Sequence, residues 1–373
     1  MMPDRKKKIL QLLPNHANPI ITVCNEYSRS VDRNKYHVTI AYLTGAEDPR
    51  VADGTDADRV IFLELEEHEM RGLRLKAVKR IVHLCKQHEF DVVVCHRYKA
   101  AQIMSLVRMS CDIPLIFYVV HVIGYMASIT RKLYRCLFMR NRFQIIAVSE
   151  AVRCDLLKRQ FLLSSDLVTT VHNTLNTEAV ISEQLDRQKA RLELGLGAAD
   201  FVYGAVGRLV QFKNHETLIR AFSLALPQIG EAKLVIIGEG RLEKDLKQLV
   251  HSLDMTNHVI FSGVVPKVHR VMQALDFFVL PSVNEPFGIV LLEAMAAKVP
   301  IISSDTGGAP EIVDSFALMV PGNDPHLYAE KMVHGFSLSE EEREMLGQRG
   351  YQHLQSNFSD SQFREVLGRF PKA

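Results

Sequence analysis

Short runs rich in β-branched and other apolar residues recur along most of this chain, and helix-like stretches separate them. In the first half the runs are Lys8–Leu12, His37–Leu43, Val60–Leu63, Asp91–Cys95, Leu115–Val120 and Gln144–Val148, with helical patterns at Leu73–His88 and Ala101–Met109. In the second half they are Phe201–Val206, Lys233–Ile237, His258–Ser262, Phe277–Leu280, Ile301–Ser303 and Ala317–Val320. Helical patterns at Glu216–Ala225, Leu242–Leu253, Val268–Leu275 and Ile289–Ala297 lie between them. Such alternation predicts an α/β fold of parallel sheets with helices on both faces. At roughly 150 residues per domain, 373 residues suffice for two doubly wound domains. The polar segment Thr177–Ala199 reads as their boundary, giving an N-terminal domain over 1–180 and a C-terminal domain over 181–355. Ser339–Phe370 reads as two polar helices, the last of them, in 356–373, packing back toward the first domain. Ligands of such sheets gather at the carboxyl ends of the strands, so the site is expected in a cleft between the domains.

Charge excludes some classes of function. The 45 basic and 43 acidic side chains leave a net charge of only +2, too little for a dedicated nucleic-acid binder. The balance is uneven, however: +8 over residues 1–173 and −6 over 174–373. Much of the basic excess lies in Arg71–Arg80, which follows an acidic stretch at Glu64–Glu69, and in Arg131–Arg142. The latter interleaves Arg131, Lys132, Arg135, Arg140 and Arg142 with Leu133, Tyr134, Leu137, Phe138 and Met139. It reads as an amphipathic basic helix of the kind that lies on an anionic membrane surface, or else turns its apolar stripe to the core.

Six cysteines without CxxC spacing fit reduced, mostly buried thiols of a cytoplasmic protein, with neither disulfide framework nor structural zinc. The apolar run Ile9–Leu13 is too short for a signal peptide, and Ile113–Ala127 too short for a membrane span.

Two segments carry the chemistry. Gly207-Arg208-Leu209-Val210-Gln211-Phe212-Lys213-Asn214 follows a strand and precedes a helix. Arg208 can grip phosphate oxygens in a bidentate fashion while Lys213 adds a compact charge, a pairing suited to a diphosphate leaving group. The second segment, Pro281–Ala296, joins a strand to an apolar helix through a loop containing Pro286 and Gly288. Its helix start near Phe287, Gly288 and Ile289 offers backbone N–H groups and a positive dipole end to phosphate. Glu285 and Glu293 flank that start eight residues apart, about 12 Å if the spacing is helical. Glu285 is placed to hold sugar hydroxyls and Glu293 to accept hydrogen bonds from a ribose.

Arg208-x4-Lys213, Glu285-x7-Glu293 and Thr306-Gly307-Gly308-Ala309-Pro310-Glu311-Ile312-Val313, in that order, resemble the signature of family-four retaining glycosyltransferases of GT-B fold. The resemblance runs from Tyr203 to about Gly322 and includes Gly238-Glu239-Gly240 and Ala274–Ser282. It is thinner in the first half, where Val119-Val120-His121 resembles the family's strand-end histidine and Ile145–Val152 its strand-to-helix serine segment. Val171–Asn176 stands where members commonly carry Asn-Gly-x-Asp, and the loop Pro14–Pro19 lacks the usual glycine pair. The resemblance implies two Rossmann-like domains facing across a cleft and front-face transfer of a hexose from a nucleotide-diphosphate sugar. Arg208, Lys213 and Glu285 would then act in catalysis, with His121 orienting the sugar or the acceptor. Contacts to the base would come from backbone near Gly240 and residues 264–267, Val265 among them. The donor implied is a UDP-sugar first and GDP-mannose next, without a further cofactor. The acceptor implied is a glycan or lipid-linked molecule of bacterial lipopolysaccharide core or surface polysaccharide.

Other readings are weaker. Asp56-Ala57-Asp58 fits the metal-binding DxD pattern but lies in a polar, acid-rich loop, so no metal is expected. A nicotinamide dehydrogenase would show GxGxxG after its first strand, where Gln11–Ile20 contains no glycine. A sugar-nucleotide epimerase of the same fold, or an inactive binding protein docked on a membrane or a partner, remain the alternatives.

Overall fold

In the computed structural model, residues 5–16, 20–72, 74–124, 128–138, 143–159, 163–313, 315–359 and 362–369 are described. The chain divides into two compact units, Met1–Asn173 with Asp360–Ala373, and Thr174–Ser359. Each is built on one parallel sheet.

The first sheet contains β1 (Lys7–Asn15), β2 (Tyr36–Thr44), β3 (Arg59–Phe62), β4 (Val92–His96), β5 (Leu115–Val120), β6 (Phe143–Ala147) and β7 (Val168–Thr170), in the spatial order β3-β2-β1-β4-β5-β6-β7. Buried on both faces, strands such as β4 and β5 read as continuous apolar runs rather than as alternating ones. The order reverses between β1 and β4, the switch point at which such sheets leave a crevice. Helix Ile20–Ser30 packs against helix Phe363–Gly368, and the Tyr27 and Phe363 rings stack 4.4 Å apart.

The second sheet contains β8 (Val202–Val206), β9 (Lys233–Ile237), β10 (Val259–Gly263), β11 (Phe277–Leu280), β12 (Ile301–Ser304) and β13 (Leu318–Val320), in the order β10-β9-β8-β11-β12-β13. Its switch point lies between β8 and β11. On one side Tyr203, Phe222, Phe277 and Tyr328 fill a core against helices His215–Ile229 and Pro325–Ser337.

Some local expectations change. Val268–Ala274, expected as an α-helix, is a 3-10 segment entered through Lys267 in left-handed backbone. The polar stretch 177–199 contains two helices of the second unit, Thr177–Glu183 and Arg187–Glu193. Its polarity has a use: buried Arg191 donates to the carbonyls of Ala274, Ala198 and Asp200 and pairs with Asp276 at 3.0 Å. Among the described residues no helix is long and apolar enough to cross a membrane.

Candidate active site

Three loops meet at the carboxyl ends of β8, β11 and β12 in the second unit. Beyond β8 the chain keeps pairing, with Gly207 N donating to Ile237 O and Leu209 N to Glu239 O, both at 2.9 Å. Close backbone approach explains the glycines. A Cβ on Gly238, whose φ is +138°, would stand 2.1 Å from Gly207 O, and one on Gly240 would stand 2.5 Å from Leu209 O. Gly238-Glu239-Gly240 therefore clamps the Arg208 loop through backbone alone.

The loop then turns through a 3-10 segment, Gln211–Lys213, into helix His215–Ile229. Phe212 O accepts from Val283 N at 2.7 Å, which ties this loop to the one after β11. Lys213 Nζ pairs with Glu285 Oε2 at 2.7 Å, and both side chains are largely buried. The backbone of Glu285 bridges to Gly307, and its carbonyl accepts from Gly308 N at 2.7 Å. Four of the residues singled out in the sequence thus stand in one connected group: Arg208, Lys213, Glu285 and Gly307. Arg208 is exposed, and its guanidinium has no partner among the described residues. Lys213, by contrast, is held by an acid.

Gly288, with φ +93°, caps the eight-residue helix Ile289–Ala296 without a side-chain hydrogen bond. Its first N–H groups have no intrahelical acceptor, as at any helix start. Phe287 is buried, while Ile289 remains half-buried. Glu285 lies in the loop ahead of this helix, so the helical spacing assumed between it and Glu293 does not hold.

Glu293, on the helix itself, is 17% exposed, and burial pushes its carboxyl up to about 7. His269 Nδ1 lies 3.9 Å from Glu293 Oε1, while His269 Nε2 pairs with Glu183 Oε2 at 2.9 Å. Lys267 takes the other Glu183 oxygen at 2.6 Å. Sequence reading missed Glu183 and His269, because a loop and a distant helix meet only in the fold. Val265 is half-buried in the same loop.

In the first unit His121 follows β5 directly and is half-buried. Burial, with the charge of Arg97, pushes its imidazole down to about 3, so it is neutral across the ordinary pH range. Its Nε2 lies 3.3 Å from Nδ1 of His96, a fully buried residue that sequence reading also passed over. A histidine closing the β-branched run of β4 was the available signal.

The remaining candidates are settled locally. Asp56 pairs with Arg29 at 3.0 Å and Arg33 at 2.7 Å, and Asp58 with Arg33 at 2.7 Å. The DxD acids are thus engaged by arginines. Residues 17–19 of the glycine-free loop and 139–142 of the basic segment lie outside the described residues. The rest of that segment is helix Ile129–Phe138, in which Ile129, Leu133 and Leu137 are 66%, 56% and 73% exposed. At spacings of four they form one stripe, and it does not face the core.

Two parallel-sheet Rossmann-like domains define the fold class as GT-B, and comparison with known proteins agrees. Anabaena HepE, crystallised with UDP and glucose, matches with a TM-score of 0.79 at 18% identity, over 98% of this chain and 99% of its own. Residues 21–179 match the model of Glycosyltransferase Family 4, and residues 186–353 that of Glycosyl transferases group 1. The chain belongs to the GT-B glycosyltransferases, with a Family 4 domain followed by a group 1 domain. An uncharacterized glycosyltransferase of Methanocaldococcus jannaschii is 30% identical over 239 residues, 60% of either chain. D-inositol 3-phosphate glycosyltransferase of Corynebacterium diphtheriae is 27% identical over 273 residues, 66% of this chain and 63% of its own. The chain thus spans about three-fifths of the length of these curated relatives.

Proposed function

We propose that the chain is a retaining glycosyltransferase that moves a hexose from a nucleotide-diphosphate sugar to a glycan or lipid-linked acceptor. The observation that carries this reading is the meeting of the Gly207, Pro281 and Thr306 loops, with an exposed guanidinium, an acid-held lysine and an open helix start. A diphosphate needs several positive groups whose positions are fixed before it arrives, because charge developing on the leaving group is then stabilised without reorganisation. Arg208 and the amides at Gly288 and Ile289 supply the grip. Lys213, oriented by Glu285, meets the charge that grows as the glycosidic bond breaks. Glu285 also holds sugar hydroxyls, and Glu293 holds the ribose.

Transfer proceeds on the face from which the diphosphate departs. The acceptor oxygen forms the new bond at the anomeric carbon, the bond to the diphosphate breaks, and a phosphate oxygen takes the acceptor proton. No protein nucleophile and no metal is part of the scheme. A UDP-sugar is the first choice of donor, with support from the UDP and glucose named for the Anabaena neighbour, and GDP-mannose is the second. Backbone at Gly240 and Val265 reads the base. The acceptor belongs to bacterial lipopolysaccharide core or surface polysaccharide, at the cytoplasmic face of an anionic membrane. The exposed stripe Ile129, Leu133 and Leu137 beside Arg131 and Lys132 supports that placement.

The test is nucleotide release from a panel of UDP- and GDP-sugars, with and without glycan and lipid-linked acceptors, followed by the anomeric configuration of the product. Acceptor-dependent release with retention is expected. Release that needs no acceptor and yields an epimer, or no nucleotide binding at all, overturns the proposal.

A further inference from the structure

Gln11, His96 and His121 form a hydrogen-bonded chain across three neighbouring strands, and the register explains why. Gln11 lies opposite Val94, two residues from His96, and His96 lies opposite Val119, two residues from His121. Side chains two apart share a face of a sheet, so the three meet as diagonal neighbours. Helix Ile20–Ser30 covers Gln11 and His96 through Cys24, Ser28 and Tyr27, and both are fully buried.

Each bond in the chain has only one possible direction. Gln11 Nε2 lies 2.9 Å from Cys24 O, which can only accept, and 2.7 Å from Ser28 Oγ. The amide N–H groups therefore point there, and Oε1 faces His96 Nε2 at 2.9 Å. An amide oxygen cannot donate, so His96 carries its proton on Nε2. Burial holds His96 neutral, and a neutral imidazole has one N–H. Its Nδ1 must then accept, and the donor is Nε2–H of His121 at 3.3 Å.

We propose that His96 is a positioning residue that fixes His121 as its Nε2–H tautomer, so that His121 meets the substrate through an unprotonated Nδ1 and recognises a hydroxyl group by accepting its hydrogen bond. Among the described residues that Nδ1 has no partner. A diphosphate oxygen, with no proton to give, would face a lone pair there and be repelled. The histidine thus selects a hydroxyl over a phosphate oxygen. The inference rests on the reading of His121 as a substrate-facing residue.

Tautomers are read directly from the 15N shifts of histidine-labelled protein, assigned by His96→Gln and His121→Phe. The expected spectrum shows both residues with a pyrrole-type Nε2 and a pyridine-type Nδ1, unchanged between pH 5 and 8. A pyrrole-type Nδ1 on His121, or titration of either ring in that range, overturns the proposal in the wild-type protein without reliance on a variant. Loss of the single tautomer of His121 is expected in His96→Phe, with kcat/KM for the donor about tenfold lower. Recovery is expected in His96→Gln, whose amide oxygen can take the same proton. Equal activity of His96→Phe and wild type also overturns it. If His121→Phe itself leaves kcat/KM unchanged, the substrate-facing reading fails, a result separate from the tautomer spectrum.

Discussion

Glu293 gives the site a measurable pH dependence. Burial raises its carboxyl from an ordinary 4.5 to about 7, and each tenfold change in proton affinity corresponds to about 1.36 kcal/mol. Below pH ~4.5 the group is protonated in both the folded and the unfolded chain and costs nothing. As the pH climbs, the unfolded chain ionises first while the folded chain keeps its proton, so stability falls until the pH passes about 7. The full deficit at pH 8 is about 3 kcal/mol. It is an upper bound, because the side chain is 17% exposed and His269 lies 3.9 Å away. Glu293→Gln, neutral at every pH, escapes this cost. At about 2–4 °C per kcal/mol for a unit of this size, the variant should melt up to roughly 10 °C higher than wild type at pH 8. Most of that gap should be gone at pH 5. Binding of UDP to the wild type should release a proton near pH 6, because ribose hydroxyls favour the ionised carboxylate. Calorimetry in buffers of different ionisation enthalpy detects that proton, and the variant should bind UDP more weakly without it. An equal melting difference at pH 5 and pH 8 would refute the reasoning.

Arg208→Ala should lower turnover by about 10²–10³-fold while leaving the melting temperature within error, since its guanidinium is exposed and has no partner among the described residues. Lys213→Met should do otherwise, losing both activity and about 3 kcal/mol of stability, because Glu285 is left buried without its cation. Thermal melts beside steady-state rates separate the two. Gly238→Ala should melt well below Gly230→Ala: the first Cβ meets Gly207 O at 2.1 Å, whereas nothing lies within 4 Å of the second. Leu133→Asp with Leu137→Asp should reduce sedimentation with anionic vesicles at unchanged turnover of a soluble acceptor, and unaltered sedimentation would return that helix to a purely structural role.

Apolar runs made most of the two sheets legible, because strands buried on both faces cannot hide their composition. β7 escaped because its three residues, Val168–Thr170, are too short to form a pattern. Val268–Ala274 misled because 3-10 and α-helical segments present similar short-range spacings and differ in whether each N–H bonds three or four residues back. In the site, Arg208, Lys213, Glu285 and Glu293 stood out by type and spacing. The pairing of Lys213 with Glu285, 72 positions apart, was not visible, since it depends on β8 and β11 being neighbours. The same holds for His96 beside His121 and for His269 between Glu183 and Glu293. Sequence reading finds what lies along the chain, whereas these pairs are products of strand order and of helix packing.

The stacking of Phe363 on Tyr27 has a consequence for biosynthesis. A sheet that begins at Lys7 is complete by Thr170, yet the aromatic ring that covers helix Ile20–Ser30 is translated only after the whole second unit. At ~5–20 residues per second, the interval is on the order of tens of seconds. Throughout it the nascent chain carries helix Ile20–Ser30 with a face of Tyr27 that its ring partner does not yet cover. Emergence of Phe363, rather than emergence of the seven strands, is the moment at which that unit can close.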